Sequence, residues 1–237
     1  MIKKIFLYFY KKLINFFSDK AKISLQPKSP VDIHYEELAK DCYNHFKEHF
    51  KKSYVFSDDE SIRGFAINEA IKKRDDGDLF IEFGVWKALS LNFFAEKLNK
   101  SNAIIYGFDS FIGLKDDWMS SVFMPKGTFN LNKKLPNVKK NAKLIDGWIE
   151  NTLPNFLDGK KDKIVFIHFD MDTYNSTAFA IKTMKPFLKK GTIILFDQLH
   201  SYPHWRESEF KALNDTLNES EYKFIAFGTR QACIEIL

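Results

Sequence analysis

A change of rhythm at Asp78 constrains this chain more than any other feature. From there onward short apolar runs, at residues 79–83, 104–108, 142–145, 164–169, 193–196, 223–227 and 232–236, alternate with amphipathic stretches near 88–100, 149–158, 175–190 and 206–218. Runs that are apolar on both faces and joined by helices predict an α/β fold. A strand with no polar face must be buried twice, so its sheet is mainly parallel with helices on both sides. Only Gly228-Thr229-Arg230 separates the last two runs. That is too little chain for a parallel crossover, so those two are expected to form an antiparallel hairpin closing a seven-stranded sheet.

Upstream of Asp78 the period is helical, over 35–52 and again over 58–74. The second stretch opens on Ser57-Asp-Asp-Glu60, which has the spacing of a capping box. Residues 19–34, with Pro27 and Pro30, read as a linker. The first 18 residues place Ile2, Ile5, Phe6, Phe9, Leu13, Phe16 and Phe17 on one helical face and Lys4, Lys11, Lys12 and Asn15 on the other. A spanning helix needs about 20 mostly apolar residues, and the Lys11-Lys12 pair interrupts this one. A secretion signal would show an unbroken apolar stretch and a small-residue cleavage site. Three readings stand: a helix on a membrane surface, an arm for self-association of a homo-oligomer, or a helix lying on the protein's own core. The expected division is 1–52, an amphipathic helix, linker and helical lid or oligomer segment, and 53–237, the α/β domain.

Charge sharpens that division. Of 36 basic residues against 31 acidic ones, seven lysines and a single acid fall within residues 1–28, so the body is close to neutral. A nucleic-acid enzyme would spread its positive charge over the folded surface, so a small molecule or a glycan is the expected partner and nucleic acid is not. Cys42 and Cys233 are too few for a disulfide scaffold or a four-cysteine zinc site. They read as ordinary thiols of a cytoplasmic protein, with peripheral membrane contact left to the arm. Twenty-five phenylalanines predict a core filled by aromatic bulk.

In an open α/β sheet, ligands bind beyond the carboxyl ends of the strands. The first run leads into Glu82-Phe-Gly84-Val-Trp86-Lys-Ala-Leu89-Ser90, a strand–glycine–helix turn. A dinucleotide site would carry glycine where Trp86 and Leu89 stand. The second run ends at Asp109, placed to accept hydrogen bonds from ribose hydroxyls or else to cap a turn. The fourth ends in His168-Phe-Asp170-Met-Asp172 and the fifth in Asp197-Gln198. Adjacent strands would bring Asp170, Asp197 and Gln198 to one mouth. Two carboxylates and an amide oxygen suit octahedral magnesium, which would acidify a hydroxyl held there. The competing reading makes these acids helix caps, Asp172 for the stretch starting near Asn175. His168 lies within an apolar run and reads as a satisfied core histidine. Asp170 is the better candidate for a catalytic base.

Seven strands with a terminal hairpin is the Rossmann-like layout of the class I methyltransferases, and the motifs agree with it. Gly77-Asp78-Leu-Phe-Ile-Glu82-Phe-Gly84-Val-Trp86, Tyr106-Gly-Phe-Asp109-Ser-Phe-Ile-Gly113-Leu, Asp146-Gly-Trp148-Ile-Glu-Asn-Thr152-Leu-Pro154 and His168-Phe-Asp170-Met-Asp172-Thr-Tyr174-Asn-Ser176-Thr occur in order. Over residues 57–237 the chain resembles the macrocin O-methyltransferase family, enzymes that use S-adenosylmethionine and commonly magnesium to methylate sugar hydroxyls. The resemblance implies that Glu82 and Gly84 line the methionine end of the donor and that Asp109 binds its ribose. It places Ser110 and Phe111 near the adenosine and Asp146 and Trp148 by the adenine, with Asp170 and Asp197 on the metal. The chain departs from the family at Ala88-Leu89, where Gly-Gly is common, and at Gln198, where a second acid is common. The segment 200–206 should overhang the acceptor. Tyr202 and Trp205 would stack on a sugar face and Arg206 would meet an acidic group, or Trp205 packs on the following helix.

The expected function is methyl transfer from S-adenosylmethionine to a hydroxyl of a sugar or glycoside, in polysaccharide or natural-product biosynthesis. A nucleotide-dependent sugar oxidoreductase is the rival enzyme, and the missing glycines speak against it. A non-catalytic membrane-surface or assembly protein reusing the fold is the other rival. The presence of Glu82, Asp109, Asp170 and Asp197 speaks against that.

Overall fold

The structure is a computed structural model that describes residues 10–14, 28–160 and 163–237. By internal contacts the chain divides into Met1–Asp41 and Cys42–Leu237, where the expected boundary lay at residue 52. The proposed face of the first 18 residues lies for the most part outside the described residues; within them, 10–14 are helical. Among the described residues no helix is long and apolar enough to cross a membrane.

Helix α1 (Pro30–Phe50) begins inside the expected linker. Its start was legible. Pro30 fits the first helical turn, and Ser29 and Asp32 cap each other, the Ser29 N–H donating to Asp32 at 2.9 Å and the Asp32 N–H donating to Ser29 Oγ at 3.2 Å. Strand β1 (Tyr54–Val55) follows, then α2 (Asp59–Lys73). The cap of α2 is Asp58, whose carboxylate accepts the Ser61 N–H at 2.8 Å, one residue later than the Ser57–Glu60 box expected.

The α/β order then runs β2 (Leu79–Phe83), α3 (Leu89–Leu98), β3 (Ile105–Asp109), β4 (Trp118–Met119), β5 (Phe123–Met124), β6 (Ala142–Asp146), α4 (Ile149–Leu157), β7 (Ile164–Phe169), α5 (Tyr174–Met184), β8 (Leu188–Phe196), α6 (Glu209–Thr216), β9 (Tyr222–Phe227) and β10 (Ala232–Ile236). The main sheet has eight strands in the order β1-β9-β10-β8-β7-β2-β3-β6. Strand β10 is antiparallel to β8 and β9, and the other pairs are parallel. All seven expected strands form, hairpin included. The eighth, β1, and the separate β4–β5 hairpin were not expected, because two-residue strands carry no period to detect. Helix α5 stops short of residue 190. Pro186 cannot continue it, and Gly191, at φ +86, lies within β8, which starts earlier than expected.

The core is apolar and layered. Strands β2 and β7 are buried along their whole length, and α2 and α3 bury Ile62, Ala66, Ile67, Leu91 and Phe94 against the sheet. A second aromatic group gathers around Phe46 of α1, whose ring meets Trp205, Phe210, Phe224 and Phe227 at 5.5–5.6 Å.

Candidate active site

Four neighbouring strands carry a phenylalanine at the same level at or beside their carboxyl ends. Phe196, Phe169, Phe83 and Phe108 are in register across β8, β7, β2 and β3. Their rings lie 5.3, 5.5 and 5.1 Å apart in that order. Burying each contributes about 1.5–3 kcal/mol. Beyond the ladder the backbone makes one more bond per step. The Asp197 N–H donates to the Phe169 carbonyl, Asp170 to Phe83 and Gly84 to Phe108, each at 2.9 Å. The residue after each phenylalanine therefore stands in one row along the carboxyl edge: Asp197, Asp170, Gly84 and Asp109.

One half of the row faces a cavity of about 300 Å³, whose walls include Gly84, Trp86, Asp109, Ser110, Phe129 and Trp148, continuing to Asp170 and Gln198. Gly84 has φ +82, and a Cβ there would lie 1.7 Å from the Asp170 carbonyl oxygen, so only glycine lets β2 and β7 end this close together. Asp109 holds the turn that follows. Its Oδ2 accepts the N–H groups of Val85 and Trp86 at 2.8 Å, and its Oδ1 accepts that of Phe111 at 2.7 Å. A carboxylate has about four lone-pair sites, so one remains for a ligand hydroxyl.

Three of the residues expected at the donor do not line the cavity. Glu82 is fully buried and accepts the Ser90 hydroxyl at 2.6 Å, Phe111 is buried with φ 54, and Asp146 pairs with Lys133 at 2.6 Å. Phe129 was not foreseen. It comes from an irregular stretch with no period, brought in by the Leu114 N–H donating to the Thr128 carbonyl at 2.9 Å, and it meets the Trp86 ring edge-on at 5.3 Å.

The other half of the row is a mouth of acids, Asp170 and Asp197 half-buried and Asp172 and Glu209 buried. Asp170 and Gln198 line the cavity, and Asp197 stands behind them. Asp197 Oδ1 accepts from Arg63 Nη2 at 2.6 Å and from Gln231 Nε2 at 2.5 Å, and His168 Nε2 lies 3.7 Å away. On its other side His168 Nδ1 lies 3.9 Å from Glu82. Neither ring nitrogen has a hydrogen-bond partner among the described residues, so His168 is not the satisfied core histidine expected from sequence. Burial alone would raise Asp197, but His168 and then Arg63 hold it well below the usual carboxylate range. Burial, then Asp197 and Asp172, push Asp170 well up. Arg63, Gln231 and the buried Glu209 belong to this mouth and were missed, because they lie on distant segments with no local motif.

The donor chemistry fits a hard divalent cation. One atom each of His168, Asp170 and Asp197 lie within 4.8 Å of one another. Gln198 Oε1 is buried without a partner among the described residues, and Asp197 commits only Oδ1 to Arg63 and Gln231. Oxygen donors in this number leave places for water and a substrate oxygen.

The overhanging segment turns inward. Tyr202 is wholly buried and Trp205 is 2% exposed, its ring 4.7 Å from Phe210 of α6 and 4.1 Å from the Arg206 guanidinium. Of the two readings for Trp205, packing on the following helix is the one seen. Neither aromatic offers a face for a sugar, and none of the three residues lines the cavity.

A family model described as a methyltransferase domain matches residues 81–199, from β2 to just past β8. The chain belongs to the methyltransferase-domain family. No curated sequence matches it. Among solved structures, the calicheamicin methyltransferase CalS11 is similar, with TM-score 0.60 and 19% identity over 90% of this chain and 95% of that one. The O-methyltransferase NovP gives 0.55 and 17% over 75% and 78%. An O-methyltransferase from Bacillus cereus in complex with SAH gives 0.50 and 11% over 92% and 96%. At these identities the likeness is one of fold. The methyltransferase match covers all four residues of the row, Gly84, Asp109, Asp170 and Asp197, and every residue that lines the cavity.

Proposed function

We propose that this methyltransferase is an O-methyltransferase of the macrocin type, moving a methyl group from S-adenosylmethionine to a hydroxyl of a sugar or glycoside with magnesium assisting. The observation that carries the reading is that the glycine turn held by Asp109 and the carboxylate of Asp170 open into one cavity. A donor seated on the first therefore presents its reactive end to the second. The neighbours agree in kind: CalS11 is described as a TDP-rhamnose 3'-O-methyltransferase and NovP as an O-methyltransferase.

The sulfonium donor supplies an electrophilic methyl carbon. Asp109 has a lone pair left for a ribose hydroxyl, and Trp86, Phe129 and Trp148 give aromatic walls against which an adenine can pack. Asp170 takes the proton of the acceptor hydroxyl. With no cation bound, burial and then Asp197 and Asp172 raise its affinity for protons, towards the strength a base needs near neutral pH. Gly84 keeps Asp170 within backbone contact of the donor turn, and displacement in line depends on such positioning for most of its rate. A divalent cation held by Asp170, Asp197 and Gln198 would supply a Lewis acid that makes the hydroxyl easier to deprotonate.

The test is thermal shift followed by label transfer. S-adenosylhomocysteine should raise the melting temperature and NAD should not, and methyl-labelled donor should pass label to a sugar or glycoside. Stabilisation by NAD alone would return the chain to the oxidoreductase reading. Label arriving only on nitrogen acceptors would overturn the hydroxyl assignment.

A further inference from the structure

A second cavity, of about 240 Å³, adjoins the first, and the scheme above gives it no task. Thr173 lines both. It directly follows Asp172 in the loop after β7, so the two cavities meet where the acids of the mouth stand. The remaining walls come from distant segments tied together by side chains. Trp118 of β4 donates its indole N–H to the Ser208 hydroxyl oxygen at 3.2 Å, and Asn175 of α5 donates its side-chain amide to Asp116 at 3.0 Å.

The fold leaves one polar group in these walls unused. Thr173 stands at the N-cap of α5, where a hydroxyl ordinarily accepts a backbone N–H, yet its side chain makes no cap hydrogen bond. The residue is 6% exposed, and its hydroxyl has no hydrogen-bond partner among the described residues. A buried hydroxyl without a partner costs free energy. Placed between two cavities, this one is free to bind whatever spans them.

The charge of the walls says what that can be. Asp116, Asp117 and Glu207 line the second cavity, and no lysine or arginine does. His204 Nδ1 lies 3.3 Å from Glu207, and Lys211, 4.3 Å from the centre of the Tyr174 ring, is paired with Asp215. Arg206, the residue expected to meet an acidic group, lines neither cavity. A phosphate or carboxylate entering here would meet like charge with no cation in the walls to answer it. Hydroxyl and ammonium groups would instead find carboxylate acceptors.

We propose that the second cavity is the acceptor subsite, and that it takes a hydroxyl-rich glycoside ring that is uncharged or carries an amino group, and rejects an anionic one such as a uronic acid or a sugar phosphate. Thr173 binds a ring hydroxyl next to the one that reacts, and the three carboxylates sort ligands by charge. The inference rests on the reading of the mouth as the place where the acceptor hydroxyl is deprotonated.

The site can be watched without turnover. Trp118 carries one of the four indole N–H groups of the chain, and its signal in a proton–nitrogen correlation spectrum, assigned with Trp118→Phe, reports on the wall it shares with Ser208. The full-length protein is titrated with methyl glucosaminide, methyl glucoside and methyl glucuronide in the presence of S-adenosylhomocysteine. The first two should move the signal, and the glucuronide should bind more weakly than the glucoside by about fivefold, the value of one like-charge contact in a solvated rim. Asp116→Asn combined with Glu207→Gln should close that gap. Thr173→Val keeps the shape and drops the hydroxyl, so it should weaken methyl glucoside by about twofold to tenfold with the Kd for S-adenosylhomocysteine unchanged, and Thr173→Ser should restore the affinity. An indole signal that none of the three glycosides moves would overturn the subsite. Glucuronide binding as tightly as glucosaminide would overturn the assignment by charge. If Thr173→Val fails to fold, the wild-type titration still decides both points. A moving signal in a protein that transfers no methyl group would remove the functional reading and keep the glycoside site. Methyl transfer to a sugar with an unmoved signal would do the reverse.

Discussion

The two halves of the cavity are built by opposite means. On the side proposed for the donor a single carboxylate, Asp109, accepts three backbone N–H groups within its own neighbourhood of β2 and β3. At the mouth, Asp197 is held by side chains 134 and 34 residues away in sequence, Arg63 and Gln231. The donor half is a polar turn lined with aromatic rings. The mouth concentrates Asp170, Asp172, Asp197 and Glu209 with Arg63 and His168 as the nearby positive or proton-binding groups. Backbone groups cannot change charge, and they suit a surface that must fit one donor. Clustered acids hold protons or cations, and they suit a place where a hydroxyl loses its proton.

If that contrast is correct, substitutions in the two halves should separate binding from turnover. The largest effect is expected from Asp170→Asn, which should lower kcat by roughly a hundredfold or more, the range for losing a general base. Calorimetry with S-adenosylhomocysteine should give the wild-type affinity, and a matching loss of affinity would merge the two halves into one site. Asp109→Ala should do the reverse. It removes three hydrogen bonds to a charged group and should weaken S-adenosylhomocysteine by roughly 1.5–3 kcal/mol. A variant that binds normally would show that Gly84 and the ladder hold the turn unaided.

The charge difference also predicts how stability depends on pH. Burial, then Asp197, raises Asp172 to about 7. Asp170 and Glu209 are raised by burial and then by the neighbouring acids, and His168 by Asp197 and Glu82 against the opposing pull of burial. A group with a raised folded value binds its proton more tightly in the fold, so its stabilisation is present below its unfolded value and is lost as pH rises through the folded one. His200 runs the other way. Burial lowers it to about 4, and its stabilisation is present above the unfolded value near 6.5 and lost as pH falls. Between pH 8 and 6.5 the first set dominates, and His200 begins to oppose it only towards the lower end. In excess chelator the melting temperature should rise on going from pH 8 to 6.5, by about 2–4 °C for the roughly 1 kcal/mol due to Asp172. Asp172→Asn should flatten the rise, and a fall over this range would mean that the mouth is less acidic than its geometry implies.

The smallest effect belongs to the donor wall. Phe129→Leu keeps an apolar surface but loses the edge-on contact with Trp86, and should weaken S-adenosylhomocysteine by about 1 kcal/mol or less. A loss larger than that of Asp109→Ala would place the weight of donor binding on the aromatic wall and not on the turn.

The difference in construction explains what could be seen beforehand. Gly84, Asp109, Asp170 and Asp197 each follow directly on the last residue of an apolar run, so the rule that ligands meet the carboxyl ends of strands finds them. The phenylalanine that precedes each was a further signal, since four apolar runs ending on the same residue type point to one level in the sheet. Trp205 illustrates the failure. An aromatic, basic loop after a strand is as suitable for a ligand as for a core, and only the cluster around Phe46 and Phe210 shows which it joins.

The sequence by itself determined the sheet, its terminal hairpin and the row of polar residues along its edge, because these follow from local period and from the chain length between runs. Tertiary structure alone decided which groups stand behind that row. Arg63, His168, Gln231 and Glu209 act through distances set by helix packing and strand order. A side chain's partner across the sheet leaves no spacing in the chain from which it could be read.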